Sequence, residues 1–128
     1  MVAAAITLVA VGPRVLIVDD HPSFRASARV LLEAEGFDVV GEAADGAQAI
    51  TEAGRLRPEV VLLDVQLPDI DGFDVAARLT GGDDAPTVIL VSSRDGSDFG
   101  PLVTRSGARG FVPKAELSGD RVQELLPP

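Results

Sequence analysis

Short runs of consecutive apolar residues alternate along this chain with segments that have the periodicity of helices. The strongest runs are Val15–Val18, Val60–Leu63 and Val88–Val91, and shorter or more polar strands are predicted at Phe37–Val40 and Gly110–Val112. A strand is apolar at every position when both faces of its sheet are covered, as in parallel sheets flanked by helices. We therefore predict an α/β fold with one five-stranded parallel sheet, helices on both faces, and Phe37–Val40 at an edge.

The segments between these strands are amphipathic, and each is bounded by a capping residue or a helix breaker. The helices predicted from this pattern are Ser23–Glu35, a helix capped by Asp45, Phe73–Leu79 capped by Asp71, and Ser118 to about Leu126. In the second of these helices, Ala47 and Ile50 are expected to supply the core contacts.

The segment between the fourth and fifth strands departs from this pattern, because Gly100 and Pro101 lie inside it. Proline is tolerated in the first turn of a helix, where its missing N–H has no partner in any case. We therefore predict a short helix that begins near residues 99–101, runs to about Ser106 and ends at Gly107. This short helix and the long loop before it, residues 93–98, have few apolar contacts, so we expect the whole segment to open easily and to be the most mobile part of the unphosphorylated fold.

Residues 1–13 are predicted to be an apolar N-terminal extension that Gly12 and Pro13 separate from the first strand. Its almost entirely apolar part, residues 1–11, is too short to span a bilayer, and no Lys or Arg precedes it as in a signal peptide. Three interpretations stay open for this segment. They are an extra strand or loosely packed extension, a disordered or wrongly assigned start, and a targeting segment.

The composition excludes several classes of functional site. The 128 residues suffice for one domain with its own core, and the absence of Cys excludes disulfides and Cys-ligated zinc. The single histidine, His21, excludes a multi-histidine metal centre, and we expect it only to mark the start of a helix. A formal net charge of −9 opposes direct binding to nucleic acid, and no segment suggests attachment to a membrane.

Polar and charged residues follow the predicted strands at the points where those strands end. Asp19 and Asp20 follow the first strand, Asp64 the third, Ser92 the fourth and Lys114 the fifth. In open α/β sheets, functional groups gather beyond the carboxyl ends of the strands. We therefore expect these five side chains to form one site.

This combination of side chains is suited to phosphoryl chemistry. Neighbouring carboxylates repel one another, and oxygen ligands of this kind favour a hard divalent cation such as Mg²⁺. A lysine ammonium adds a second positive charge. Such a site can receive a phosphoryl group on a carboxylate nucleophile, with the hydroxyl of Ser92 donating a hydrogen bond to a phosphoryl oxygen.

From Arg14 to about Leu126, the chain resembles the receiver domain of two-component response regulators. The matching elements are Val18-Asp19-Asp20, Asp64-Val65-Gln66-Leu67-Pro68 with Gly72, Ser92-Ser93, and Phe111-Val112-Pro113-Lys114. Residues 18–22 and 39–43 most resemble the NarL/LuxR-type subgroup, whose members usually continue into a helix-turn-helix, whereas this sequence ends at Pro128. The resemblance implies that residues 14–128 form a flavodoxin-like receiver domain with strand order 2-1-3-4-5.

The resemblance also implies a role for each residue of the site. Asp64 would be the phosphoacceptor, Asp20 a direct ligand of Mg²⁺ or Mn²⁺, and Asp19 a ligand largely through water. The main-chain carbonyl of Gln66 would be the remaining protein ligand, and Lys114 would contact the phosphoryl group.

The implied conformational switch involves two further residues. Ser92 would move toward the phosphoryl group after transfer, and Phe111 would change rotamer to follow it. Gln66 and Arg94 occupy positions at which the family tunes dephosphorylation.

A receiver domain of this kind is a cytoplasmic switch rather than an enzyme, although it contributes to its own phosphorylation and dephosphorylation. The implied partners are a sensor histidine kinase or phosphotransfer protein, a downstream effector, and in some cases a second copy of the chain. The resemblance gives no reason to expect direct nucleic-acid binding by this chain.

Two other functions stay open from the sequence. The first is a phosphorylation-independent interaction module in which the site is retained but unused. The second is a Mg²⁺-dependent phosphohydrolase of the haloacid dehalogenase type. Such enzymes carry a second Asp two residues after the nucleophile, whereas Gln66 follows Asp64 and His21 follows Asp19 at that spacing.

Overall fold

The computed structural model describes residues 12–94 and 99–128, which form one parallel sheet with helices on both faces. The strands are β1 (Arg14–Val18), β2 (Asp38–Ala43), β3 (Val60–Asp64), β4 (Thr87–Ser92) and β5 (Gly110–Pro113). The helices are α1 (Pro22–Ala34), α2 (Gly46–Leu56), α3 (Gly72–Leu79), α4 (Leu102–Arg105) and α5 (Gly119–Leu125), and a 3₁₀ turn spans Lys114–Glu116. The strand order β2-β1-β3-β4-β5 confirms the predicted flavodoxin-like α/β fold.

Two apolar layers fill the space between the sheet and its helices, because successive residues of a strand point to opposite faces. Ile17 of β1 points toward α1 and α5, where it belongs to a cluster with Leu32 and Val122. Leu16 points the other way, into a cluster with Val75 of α3. The central strands are therefore buried on both faces, as their continuous apolar runs predicted.

The edge strand β2 is longer than its apolar run indicates. The sequence predicted Phe37–Val40, but the strand continues to Ala43, because Gly41 and Glu42 pair with β1 although neither is apolar. The register between β1 and β2 shifts by one residue after Val15, so the regular pairing of the two strands is interrupted there.

The ends of the helices follow their predicted signals closely. Asp45, Asp71 and Ser118 each accept a hydrogen bond from a backbone N–H in the first turn of α2, α3 and α5 respectively. The short helix α4 ends before Gly107, whose φ of +84° is a left-handed conformation that suits glycine.

The core contacts of α2 differ from the prediction at one position. Ala49 is fully buried and Ile50 is partly buried, whereas Ala47 is exposed. Residues two apart lie on nearly opposite sides of a helix, so Ala47 faces solvent when Ala49 faces the sheet.

Two predicted segments lie mostly outside the described residues. These are the N-terminal extension, of which residues 1–11 are not described, and the loop before α4, of which residues 95–98 are not described. Just before β1, the main-chain oxygen of Pro13 accepts a hydrogen bond from Asp38 N at 2.9 Å, which joins the chain to the edge strand. None of the helices within residues 12–94 and 99–128 has the length and apolar character needed to cross a membrane.

A charged network ties β2 to α1 beside the carboxyl end of β1. Glu42 accepts hydrogen bonds from Arg25 Nε at 3.0 Å and from Arg29 Nε at 2.8 Å. Arg25 also donates from Nη1 to the main-chain oxygen of Asp19 at 2.6 Å. The hydrogen bond from Arg29, assisted by that from Arg25, holds the pKa of Glu42 below its ordinary value despite the opposing effect of burial.

The turn between β3 and α3 is closed by a glycine. Gly72 N donates to the main-chain oxygen of Val65 at 3.0 Å, so the first residue of α3 lies against the end of β3. A Cβ atom on Gly72 would clash with the main-chain oxygen of Asp64 and lie 2.6 Å from Val65 Cα. This close approach explains why the motif that begins at Asp64 requires glycine here.

We predict that Glu42→Gln lowers the free energy of unfolding at pH 7 by about 1 kcal/mol, because it removes the charge paired with two guanidinium groups. The folded-state pKa of Glu42 lies below the unfolded value, so its stabilising effect is present above the unfolded pKa and is lost as the pH falls through the folded pKa. Urea unfolding at a series of pH values should show the difference shrinking below about pH 4. The control Glu33→Gln, which removes an exposed partner of Arg29, should cost less. An equal loss at pH 7 and pH 3 would contradict this account.

We also predict that Gly72→Ala lowers the free energy of unfolding by at least about 2 kcal/mol, because the backbone of Asp64 and Val65 must shift to admit a methyl group. The matched control is Gly54→Ala, in the exposed interior of α2, where a Cβ meets nothing within 4 Å. That variant should raise the free energy of unfolding by up to about 1 kcal/mol. Thermal and urea unfolding measure both, and similar effects of the two substitutions would rule out a special constraint at Gly72.

Candidate functional site

Two buried carboxylates lie at the carboxyl ends of the neighbouring strands β1 and β3. Asp19 directly follows β1 and is fully buried, and Asp64 is the last residue of β3 and is 3% exposed. Asp19, Asp20, His21 and Asp64 each offer a ligand atom, and these atoms all lie within 4.8 Å of one another. The structure therefore brings the three acidic residues of the predicted site together.

Lys114 carries a positive charge into this cluster from the end of β5. Its Nζ atom lies 2.6 Å from Asp19 Oδ2 and 3.3 Å from Asp64 Oδ2. The side chain is only 16% exposed, and Lys114 is the one lysine in the sequence. The ammonium that follows β5 thus lies next to the carboxylate that follows β1 and the carboxylate that ends β3.

The proximity of these charges and their burial change how Asp64 and Lys114 titrate. Burial, together with the charge of Asp19, raises the pKa of Asp64 above its ordinary value, and the Gln66 N–H and Lys114 oppose this only in part. Burial alone would lower the pKa of Lys114, but the adjacent Asp19 and Asp64 carboxylates outweigh it and raise that pKa. Lys114 is therefore a cation at neutral pH, and the ionised form of Asp64 is destabilised by its surroundings.

The buried oxygen of Asp19 is suited to a metal ion. Asp19 Oδ2 receives no hydrogen bond of good geometry from the described residues, although Lys114 Nζ lies 2.6 Å away. A buried carboxylate oxygen without a hydrogen bond is stabilised when a further cation binds to it. Together with Asp20 and Asp64 it forms a set of oxygen ligands that fits Mg²⁺ or Mn²⁺.

His21 has contacts in this cluster that the sequence did not predict. Its backbone N–H donates to Asp19 Oδ1 at 2.8 Å, and its Nδ1 lies 3.0 Å from Asp19 Oδ1 and 3.1 Å from Asp20 Oδ1. The only signal in the sequence was its position directly after the acidic pair. His21 therefore helps to orient the two carboxylates that precede it.

The other predicted polar residues lie at or just after the carboxyl ends of β3 and β4. Ser92 ends β4 and is 1% exposed, and its Oγ accepts a hydrogen bond from Arg94 N at 3.0 Å. Gln66 N donates to Asp64 Oδ1 at 3.1 Å, whereas the side chains of Gln66 and Arg94 lie at the surface. The structure thus places Ser92 within the fold, and Gln66 and Arg94 at its outer rim.

Phe111 of β5 lies within a row of three aromatic rings. Its centroid is 5.5 Å from that of Phe99, and Phe99 is 5.5 Å from Phe73 in an edge-on arrangement. Phe111 is partly buried and packs against the apolar layer that contains α3. A movement of Phe111 would therefore displace Phe99, just before α4, and through it Phe73 at the start of α3.

The loop between Asp64 and α3 is anchored to the start of α2. Asp69 accepts hydrogen bonds from Gly46 N at 2.8 Å and from Ala47 N at 2.9 Å. These two bonds, the first of them foremost, lower the pKa of Asp69, so the residue is a stable anion at neutral pH. The loop is therefore held at Asp69 as well as at Gly72.

Comparison with known proteins identifies this arrangement. The family of response regulator receiver domains matches residues 15–125. The chain is 42% identical over 113 residues to a transcriptional regulator of Pseudomonas aeruginosa, and the aligned region covers 88% of this chain and 53% of that protein. It is 37% identical over 114 residues to a protein-glutamate methylesterase/protein-glutamine glutaminase of Alkalilimnicola ehrlichii, which covers 86% of this chain and 29% of that protein. The chain spans about half the length of the first of these relatives and less of the second.

A solved structure shows the same fold. The signal receiver domain of the response regulator NarL from Mycobacterium tuberculosis superposes with a TM-score of 0.78 at 33% identity, over 89% of this chain and 96% of that one. The family match covers nearly the whole chain, and the acidic pair, the aspartate of β3 and the lysine after β5 converge as the resemblance implied. The chain therefore belongs to the family of response regulator receiver domains.

Proposed function

We propose that this receiver domain takes a phosphoryl group from a sensor histidine kinase or phosphotransfer protein onto Asp64. The observation that carries the proposal is the position of Asp64, a buried carboxylate with Lys114 Nζ 3.3 Å away and two further carboxylates beside it. The carboxylate is the nucleophile, and the adjacent ammonium of Lys114 offsets the negative charge that an incoming phosphoryl group brings into this buried position.

The proposed transfer is a displacement at phosphorus. An oxygen of Asp64 forms a bond to the phosphorus atom while the bond from phosphorus to the donor nitrogen breaks, and the donor keeps that electron pair. Gln66 N, which donates to Asp64 Oδ1 at 3.1 Å, fixes the orientation of the carboxylate. Lys114 offsets the negative charge of the transferred group.

Asp19, Asp20, Asp64 and the main-chain carbonyl of Gln66 would hold Mg²⁺ or Mn²⁺. The buried and poorly satisfied Oδ2 of Asp19 supports this assignment. The bound ion supplies positive charge that offsets the charge of the carboxylates and of the phosphoryl group. The contacts of His21 keep Asp19 and Asp20 in place for this purpose.

The proposed output is a change between two conformations. Ser92 moves toward the phosphoryl group and donates its hydroxyl hydrogen to it, and the oxygen of the same hydroxyl can still accept the hydrogen bond from Arg94 N. Phe111 changes rotamer and disturbs its contact with Phe99. The exposed Gln66 and Arg94 side chains adjust how fast water removes the phosphoryl group.

The proposed role is that of a switch rather than an enzyme with turnover. A phosphohydrolase of the haloacid dehalogenase type needs a second carboxylic acid two residues after its nucleophile, and Gln66 occupies that position after Asp64. We propose residues 14–128 as the receiver domain and residues 1–13 as an extension outside it, which the family match over 15–125 supports. In this role the domain would act on a downstream effector and could pair with a second copy of the chain. We propose a cytoplasmic location for it.

Incubation with acetyl phosphate and Mg²⁺ should add one phosphate to the protein, because small acyl phosphates can replace the protein donor. Intact-mass spectrometry should detect this single labile adduct and its absence in Asp64→Asn. The control Asp69→Asn, five residues along the same loop, should still be modified. Undiminished modification of Asp64→Asn would refute the assignment, repeated turnover would indicate a hydrolase, and no adduct would favour a phosphorylation-independent module.

Asp20→Asn should raise the melting temperature of the metal-free protein, because it relieves repulsion between neighbouring carboxylates. The same substitution should weaken Mg²⁺ binding by at least about tenfold, because it removes a ligand. Each kcal/mol of relieved repulsion corresponds to roughly 4 °C in a domain of this size. The control Asp83→Asn, which makes the same charge change in an exposed loop, should alter neither quantity appreciably. Calorimetry and thermal unfolding measure both effects, and unchanged Mg²⁺ affinity in Asp20→Asn would exclude it as a ligand.

A further inference from the structure

We propose that Phe24 is a positioning residue for Lys114, holding the lysine ammonium against the two buried carboxylates of the site. Lys114 Nζ lies over the Phe24 ring, 4.6 Å from its centroid. The same atom lies 2.6 Å from Asp19 Oδ2 and 3.3 Å from Asp64 Oδ2. The ammonium is therefore enclosed by an aromatic face and two carboxylates.

The aromatic ring stabilises an ammonium that water reaches poorly. The negative face of an aromatic ring attracts a cation, and this attraction is strongest where water is excluded. The side chain of Lys114 is only 16% exposed, so water contributes little to the solvation of its ammonium. A lysine without such a contact tends to extend its charged end to solvent. The Phe24 ring therefore favours the inward position, in which Nζ faces Asp64.

Helix α1 holds Phe24 in a defined place relative to the acidic pair. Phe24 is partly buried and packs against the core cluster that contains Leu32 of the same helix. The next residue, Arg25, donates to the main-chain oxygen of Asp19 at 2.6 Å and to Glu42 at 3.0 Å. One turn of α1 therefore positions both the ring and the backbone of Asp19.

This inference rests on the proposed function of Asp64, because the orientation of Lys114 matters for transfer only if Lys114 contacts the phosphoryl group. Phe24 offers no ligand atom and acts only through Lys114. Its replacement should therefore slow the formation of the acyl phosphate and leave Mg²⁺ affinity unchanged. A general loss of packing, by contrast, would affect both the rate of acyl-phosphate formation and the Mg²⁺ affinity.

The first experiment compares the rate of adduct formation from acetyl phosphate in folded variants of the full chain. Phe24→Leu, which keeps an apolar side chain but removes the ring, should lower the rate roughly three- to tenfold. Phe24→Tyr, which keeps the aromatic face, should restore most of it. Phe37→Leu makes the same substitution in the same core cluster and should leave the rate within about twofold of the parent. An unchanged rate in Phe24→Leu, or an equal loss in Phe37→Leu, would overturn the proposal.

A double-mutant cycle then tests whether Phe24 acts through Lys114. Adding Phe24→Leu to Lys114→Ala should produce little further loss of rate, because the ring no longer has an ammonium to hold. An undiminished further loss in the double variant would assign Phe24 a purely structural role and contradict the proposal.

A spectroscopic measurement tests the contact without any phosphorylation. Since Lys114 is the only lysine, isotopic labelling of lysine gives the NMR signals of this one side chain. Its protons near Nζ should be shifted upfield by the Phe24 ring, and this shift should disappear in Phe24→Leu and persist in Phe37→Leu. Absence of an upfield shift in the parent protein would refute the contact. If the parent forms no adduct but shows the shift, the proposed function fails while the positioning of Lys114 stands.

Discussion

The ammonium of Lys114, shared between two buried carboxylates, is the interaction on which the functional end of this molecule depends. Asp19 is fully buried and Asp64 nearly so, and a buried carboxylate without a partner would cost several kcal/mol. Lys114 lies 2.6 Å from one and 3.3 Å from the other, so one cation serves two anions. The remaining excess of negative charge makes the site suitable for a divalent cation and for a change in charge at Asp64.

The rest of the architecture holds these charges in place. Arg25 fixes the main chain at Asp19, Gly72 and Asp69 hold the turn that follows Asp64, and the 3₁₀ turn begins at Lys114 itself. The first three of these anchors involve α1, α3 and α2, which pack on the sheet through the apolar clusters. The geometry of the site is therefore a property of the whole layered fold, not of its loops alone.

The sequence predicted the fold and the convergence of Asp19, Asp20, Asp64 and Lys114, because apolar runs identify buried strands and parallel strands end at a common edge. It misjudged β2, where pairing with β1 continues through Gly41 and Glu42 without an apolar pattern. The partners of Lys114 show why other contacts escaped prediction. Its contact with Phe24 joins residues 90 positions apart, at the start of α1 and just after the end of β5. No local sequence pattern predicts a contact over that separation. The roles implied for all the site residues, including phosphoacceptor for Asp64 and metal ligand for Asp20, stay predictions.

The interrupted register between β1 and β2 bears on how the sheet behaves in concentrated solution. The free side of an edge strand carries unpaired peptide groups that can recruit a strand from another molecule. In β2 the extra residue, Val40, interrupts the regular repeat of the strand, which disfavours a continuous ladder with a second strand. At the opposite edge, β5 is only four residues long and ends in Pro113, which has no N–H to donate. Both margins of the sheet are thus poor templates for aggregation, which favours solubility in a chain whose central strands are almost wholly apolar.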